Sequence, residues 1–265
     1  MSDYHERFAA VQRVYGTRQA EGIRQLHVCV VGLGGVGSWV VEALARTGIG
    51  RLSIIDYDDI SLGNINRQLH TLTETVGQKK YQVMADRVAA ISPECTVQGI
   101  DDFLTTDNVR EYLHGRHGYH CVVDAIDSIT FKAAVIYHCK RNKIPIVTTG
   151  GAGGANDPAA IKVADLSRTY NDALAAKVRS RLREEYGFSK NPKRRFGVEC
   201  VFSSQQKFYP KPDGSVSHEK PGIHGVSLDC RFGYGSVSFV TGTFGFFAAA
   251  RAIQKGLKRL QAAHG

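Results

Sequence analysis

The sequence predicts an α/β fold, a doubly wound and mostly parallel sheet with a C-terminal extension. Three observations carry this. Strand-like segments alternate with helical ones over the first 150 residues, a glycine turn joins a strand to the helix after it, and Gly32, Asp56 and Asp127 all fall just past strand ends, where such sheets bind ligands.

The strands are expected at 26–31, 51–55, 95–100, 120–124 and 145–149, with helices at 35–47, 78–91, 105–114 and 129–141 between them. Past the Gly-rich stretch 150–154 the reading becomes a strand at 159–164, a helix at 171–186, a strand at 198–202 and a long loop over 203–230 rich in Pro, Gly, Ser and Lys. The longest uncharged run, Phe232 to Ala250, contains Gly233, Gly235, Gly242 and Gly245. It reads as a buried glycine-rich turn leading into a C-terminal helix rather than a membrane span, because glycine and hydroxyl residues make it too polar and too poor a helix former. The division expected is 1–155, a nucleotide-binding core with an N-terminal helical arm, and 156–265, which completes the sheet with a basic helix, the long loop and the C-terminal helix.

Chemistry enters at Val28-Cys-Val-Val-Gly-Leu-Gly-Gly-Val-Gly-Ser38. Gly32 makes the tight turn, Gly34 and Gly35 let backbone approach a phosphate, Gly37 lets the helix pack on the strand, and the helix N-terminus faces the anion. Asp56 ends the second strand, positioned for a ribose. A dinucleotide site has no need of the segments Asp56-Tyr-Asp58, Asn64-Ile-Asn66-Arg67-Gln68 and Gly77-Gln-Lys-Lys80 in succession. A guanidinium and an ammonium brought back over the phosphates suit a triphosphate whose pyrophosphate leaves. Taken singly, these residues have plainer readings: Asp56 and Asp127 as caps of the adjoining loop or helix, Arg67 and Lys80 as solvated charges.

At 265 residues with 43% hydrophobic and 22% charged, the composition is that of a globular protein with a full core. The polar N-terminus has no apolar leader segment, so a cytoplasmic location is expected. Six cysteines, at 29, 95, 121, 139, 200 and 230, include no C-x-x-C pair, which argues against a paired-cysteine zinc site. The net charge of +9 is concentrated at Lys177, Arg179, Arg181, Arg183, Lys190, Lys193, Arg194 and Arg195, with Lys255, Lys258 and Arg259 near the end. With Tyr186 and Phe188 among the charges, this stretch suits a phosphate backbone with exposed bases; a solvated helix face at 177–183 is the alternative. The loop 150–154 is open to three readings: a wall of the site, an ion held through its carbonyls, for which a monovalent cation is the candidate, or a structural hairpin or bulge.

The ordered set G-x-G-G-x-G-S, D-x-D, N-x-N-R-Q, G-Q-x-K and Asp124-Ala-Ile-Asp127 resembles the ThiF/MoeB superfamily of ATP-dependent adenylating enzymes over residues 7–150. The resemblance implies a ThiF-type adenylation fold and ATP with Mg²⁺ as ligands. It implies Asp56 as the ribose ligand, Asp58 beside it, Asn64, Arg67 and Lys80 as phosphate and catalytic contacts, and Asp127 as the Mg²⁺ ligand. Arg13 resembles an arginine that reaches into a neighbouring subunit's ATP site, which implies a homodimer.

The stretches 44–50, 140–154, Asp229-Cys230 and 240–246 resemble the tRNA threonylcarbamoyladenosine dehydratase group and extend the likeness over nearly the whole chain. That group activates the threonyl carboxylate beside the tRNA anticodon and closes a ring with formal loss of water. It implies tRNA as partner and an association with a cysteine desulfurase system as sulfur donor. Cys230, between Asp229 and Arg231, is the thiol singled out, either as a covalent thioester or persulfide carrier or as an unreactive, partly buried residue. The alternative function is adenylation of the C-terminus of a ubiquitin-like sulfur carrier.

Overall fold

The computed structural model describes residues 3–219 and 235–264. Two helices, α1 (Asp3–Tyr15) and α2 (Thr17–Gln25), precede the alternation β1 (His27–Val31), α3 (Gly37–Arg46), β2 (Arg51–Ile55), α4 (Lys80–Ile91), β3 (Thr96–Ile100), α5 (Val109–Tyr112), β4 (Cys121–Asp124), α6 (Ile129–Arg141) and β5 (Ile146–Thr149). Beyond them come β6 (Ile161–Asp165), α7 (Ala173–Glu185), β7 (Glu199–Ser203), a small ribbon of β8 (Tyr209–Pro210) and β9 (Val216–Ser217), and α8 (Ser238–His264). The seven-stranded sheet has the order β3-β2-β1-β4-β5-β7-β6. All neighbours are parallel except β6, which runs antiparallel to β7. The chain reverses direction across the sheet between β1 and β4, and the crevice there opens at the C-terminal strand ends.

Strand β1 is buried along its whole length, as a central parallel strand covered on both faces must be. Its side chains alternate between two cores. Val28 and Val30 join the cluster capped by α3 and α8, while Cys29 and Val31 join the one formed with α6 and α7. Cys121 and Cys200 are likewise fully buried core thiols. Burial raises the pKa of Cys29 and Cys121 to about 12, so both stay protonated.

Two expectations are corrected. The helix read at 105–114 shrinks to the single turn α5, because Thr105 and Asn108 satisfy each other locally. The Thr105 hydroxyl accepts the Asn108 N–H, and the Asn108 side chain accepts the Thr105 N–H at 2.7 Å, a side-chain turn that competes with helix. Of the glycine-rich turn read within 232–250, residues 235–237 are non-helical, but α8 already begins at Ser238 and runs through Gly242 and Gly245. Residues 232–234 lie outside the described residues. Close packing outweighs the poor helix propensity: a methyl group on Gly245 would stand 2.6 Å from Trp39 Cβ and 2.9 Å from the Val36 carbonyl. On Gly242 it would meet nothing nearer than 3.5 Å.

This contrast gives an expected result. Gly245→Ala lowers unfolding free energy by about 1–3 kcal/mol through overpacking. Gly242→Ala is neutral, or stabilises by up to about 1 kcal/mol through helix propensity. Denaturant melts of both variants check the order, and a reversed order would remove the packing explanation. Among the described residues no helix is long and apolar enough to cross a membrane.

Candidate nucleotide-binding and adenylation site

The glycine turn leaves β1 at Gly32, whose φ of +86° only glycine adopts freely. A Cβ at Gly32 would press on the Ala125 carbonyl at 3.1 Å, and one at Gly37 would sit 1.7 Å from the Gly32 carbonyl. The turn therefore lies flush against the Asp124–Asp127 loop after β4. Within the described residues the N–H groups of Gly34 and Gly35 find no partner. A methyl at Gly34 would meet little but the Gln68 amide at 3.9 Å. These are the free donors and open backbone that a phosphate chain requires.

Asp56 is fixed at the end of β2 with both carboxylate oxygens engaged. Oδ2 accepts the Leu33 N–H at 2.6 Å and Oδ1 accepts the Asp58 N–H at 2.9 Å. It thus caps its own loop and braces the glycine turn at once. Burial raises its pKa despite the Lys80 ammonium and these two donors.

Lys80 is no solvated charge: it is 4% exposed at the first turn of α4, with Nζ 2.6 Å from Asp58 Oδ2. The Arg67 side chain lies over Gly35, where an added Cβ would stand 3.2 Å from Arg67 Cγ, and its guanidinium donates to the Gly63 carbonyl and Asn66 Oδ1. The Arg67 carbonyl accepts Trp39 Nε1–H at 3.0 Å and the Thr241 hydroxyl at 3.3 Å, so α3 and α8 together hold this arginine's backbone. Asn66 Nδ2–H donates to the Ser236 carbonyl.

Asn64 Oδ1 accepts the Ser61 N–H and closes its own 3-10 turn, which leaves the Nδ2 donors to meet a phosphate. Asp127 is exposed, and it does not cap α6, whose N-cap is Ser128. Its charge nevertheless reaches the site: the Tyr57 phenol is raised by Asp58 first, then by burial, and also by Asp56 and Asp127. Arg13 is exposed in the last turn of α1. That helix docks through Tyr4 and Phe8 beside Gly48, at the far end of α3 from the glycine turn. Cys230 lies outside the described residues. Among the described residues no three His, Cys, Asp or Glu side chains are arranged to hold a metal ion.

Several supports carried no sequence signal. His70 Nε2 sits 2.8 Å from the carbonyl of Leu33, the residue whose N–H Asp56 accepts, so Leu33 is held at both ends. Lys132 and Asp124 form a buried ion pair at 2.9 Å, with the Thr148 hydroxyl donating to Asp124 at 2.6 Å. In the Gly-rich loop, Asp172 accepts the Gly151 N–H at 2.9 Å and Lys207 donates to the Gly151 carbonyl at 2.9 Å, so one residue's backbone is gripped from both ends. An edge-to-face row of Tyr57, Phe103 and Phe131 flanks the Asp56 loop. Only lysines on the buried face of a helical pattern would have pointed to any of these.

His70 sets a pH dependence together with His27, which lies buried at the start of β1. Burial lowers both pKa values from 6.5 to about 4. The unfolded chain then binds more protons than the folded one between these values. The stability held above pH 6.5 is lost as pH falls toward 4, by up to about 3 kcal/mol per histidine. His70→Gln is expected to flatten melting temperature against pH in that window, and an unchanged profile would refute the assignment.

The basic stretch divides in the structure. Arg181 donates to Thr130 and to Glu185, Arg179 to Thr169, and the Arg183 guanidinium lies 5.4 Å over the Phe196 ring, so these three pack against the protein. Lys177, Lys190, Lys193, Arg194 and Arg195 stand outside that packing, and all five are exposed. Tyr186 and Phe188 are not offered to bases, because their rings pack on Tyr137 and Phe196.

A doubly wound sheet, a glycine turn with free N–H groups, an arginine lying over that turn and a buried lysine against the Asp56 loop define a protein that handles a nucleoside triphosphate. The chain belongs to the ThiF family, whose model matches residues 5–263. It is 50% identical over 253 residues to the tRNA threonylcarbamoyladenosine dehydratase of Escherichia coli, covering 95% of this chain and 94% of that protein. Its identity to the dehydratase of Haemophilus influenzae is 49% over 259 residues, covering 98% and 96%. The structure of the E. coli dehydratase in complex with ATP superposes with a TM-score of 0.87 at 46% identity, over 100% of this chain and 99% of that one.

Proposed function

We propose that this protein uses ATP to dehydrate threonylcarbamoyladenosine next to the anticodon of tRNA. The observation that carries the reading is the triphosphate cradle of Gly34, Gly35, Arg67 and Lys80 in a chain that aligns end to end with named dehydratases. That end-to-end match favours it over activation of a ubiquitin-like carrier.

The threonyl carboxylate attacks the α-phosphorus of ATP and pyrophosphate leaves. Arg67 and Lys80 stabilise the charge developing on the departing phosphates. The carbamoyl group then closes on the acyl carbon, its proton is lost, and AMP carries away the carboxylate oxygen, so the nucleoside loses one water. Holding carbamoyl and acyl groups within one molecule supplies the proximity, and no protein nucleophile is needed. Cys230→Ser therefore keeps dehydration, and a trapped thioester would overturn that.

Asp56 orients the ribose. Mg²⁺ suits Asp127, because this ion is commonly held by one or two carboxylates together with substrate phosphates. A monovalent cation belongs on the carbonyls of loop 150–154 other than those of Gly151 and Gly154, which already accept Lys207 and the Phe208 N–H. A homodimer is part of the same reading. It is supported by exposed Leu62 and Ile65 beside Arg67 and by exposed Phe239, Phe246 and Phe247 on α8, the helix that bonds the Arg67 carbonyl; exposed Val14 stands beside Arg13 on α1. Mixing Arg13→Ala with Lys80→Ala chains tests it, since a mixed dimer would regain one intact site. A cysteine desulfurase system is the candidate sulfur donor, and ATP and tRNA as substrates belong to the cytoplasm.

The deciding experiment incubates the protein with ATP, Mg²⁺ and threonylcarbamoylated tRNA and weighs the digested nucleoside. A product lighter by one water is expected; an unchanged mass would overturn the proposal.

A further inference from the structure

Three basic segments far apart in sequence converge at the pole of the molecule opposite the nucleotide site, where the parallel strands begin. The end of α6 meets the loop before β7 where Lys140 Nζ donates to the Gly197 carbonyl at 3.3 Å. The end of α8 meets the α6–β5 turn where Arg259 donates to the Lys143 carbonyl at 3.0 Å. Arg168 reaches the Lys193 carbonyl at 3.4 Å. Each tether is a charge on a neutral carbonyl, so the segments are joined without being neutralised.

Around these tethers stand Arg141, Lys143, Lys193, Arg194, Arg195 and Lys258, all exposed, and among the described residues none of the six forms an ion pair. Two acids at this pole, Glu199 and Asp165, are already engaged. Glu199 is taken by Arg251 at 2.6 Å and Lys255 at 3.2 Å. Asp165 accepts the N–H groups of Phe196, Gly197 and Val198.

We infer that this pole grips the phosphate backbone of a base-paired RNA stem while the reacting base lies at the other end of the sheet. The inference rests on the proposed function for tRNA as the RNA in question. Two observations choose the ligand chemistry. None of the large apolar side chains exposed among the described residues lies on these segments, whereas a protein partner would be met by an apolar, aromatic-rich centre. The aromatic rings nearby, Tyr186, Phe188 and Phe196, are packed on one another or on Tyr137, so no platform is offered for stacking unpaired bases. What remains is charge without base readout, which suits the backbone of a duplex.

The spacing agrees with such a division. Helix α6 runs from the Asp127 loop to this pole, and its 13 residues span about 20 Å at 1.5 Å per residue. A compact nucleotide could not touch both ends, but an RNA hairpin with its reacting base in the loop and its phosphates along the stem can.

The test uses the full chain with Arg141, Lys193, Arg194 and Arg195 replaced by Ser, and compares tRNA affinity across a salt series with wild type. The slope of log affinity against log salt is expected to fall by about one unit for each phosphate the variant no longer neutralises, with ATP affinity unchanged. The Michaelis constant for tRNA should rise more than turnover falls. An RNA duplex without a loop should compete with tRNA for the wild type and fail to bind the variant. Equal affinity and an equal slope would overturn the inference, and so would capture of polyglutamate in preference to the duplex, which would assign the pole to an acidic protein. Loss of water from the nucleoside is scored separately on wild type: its failure refutes the dehydratase reading, while the salt slope alone judges the pole.

Discussion

Arg67→Ala and Lys80→Ala are each expected to lower ATP-dependent turnover by about 10²–10³-fold, the usual cost of removing one preorganised charge from a developing anion. The two should differ in stability. Arg67 is fixed by its carbonyl, which Trp39 and Thr241 hold whatever the side chain, so Arg67→Ala should melt close to wild type. Lys80 is buried between Asp58 and Asp56, and removing it leaves two carboxylates facing each other across the site. Lys80→Ala should therefore also melt lower, and less so at a pH where a carboxyl is protonated. Single-turnover rates with saturating ATP, read beside thermal melts, separate the effects. Near-normal turnover in either variant would remove that residue from the phosphate cradle.

The largest loss of stability is expected from Lys132→Met. The Lys132–Asp124 pair is almost wholly excluded from water, with side-chain exposures of 2% and 0%. Removing the ammonium leaves a buried carboxylate with only Thr148 and a backbone N–H as donors, at a cost of about 3–5 kcal/mol. Adding Asp124→Asn should recover much of it, because the neutral amide no longer needs a counter-charge. Urea denaturation of the single and double variants checks this, and a double variant no more stable than the single would mean that packing, not charge, sets the penalty.

What could be read in the sequence was whatever depends on local backbone chemistry. Gly32 and Gly37 are forced by a turn and a close approach within six residues, and Asp56 by a strand end, so the glycine turn and its carboxylate brace declared themselves along with the parallel sheet. The supports did not. His70 under Leu33, Lys132 on Asp124 and the Asp172–Lys207 grip on Gly151 are created by tertiary neighbours, and each residue taken alone looks like an ordinary polar position. Tyr186 and Phe188 misled for the same reason: rings among charges suggest stacking surfaces until Tyr137 and Phe196 are seen to occupy them. The start of α8 was misread because glycine's poor helix propensity is a local quantity. Its usefulness at Gly245, against Trp39, is not.

The hold of α8 on Arg67 orders events in the life of the chain. Thr241 bonds to a residue 174 positions earlier, and Trp39 is clamped by the same helix. Domains generally form as they leave the ribosome, N-terminal parts first. Here the glycine turn, Trp39, Asp56, Arg67 and Lys80 are all synthesised early, but the second bond on the Arg67 carbonyl and the packing that fixes Trp39 wait for the last helix. A nascent or truncated chain lacking α8 therefore has the glycine turn and Lys80 in place but only one of the two bonds that seat the Arg67 carbonyl.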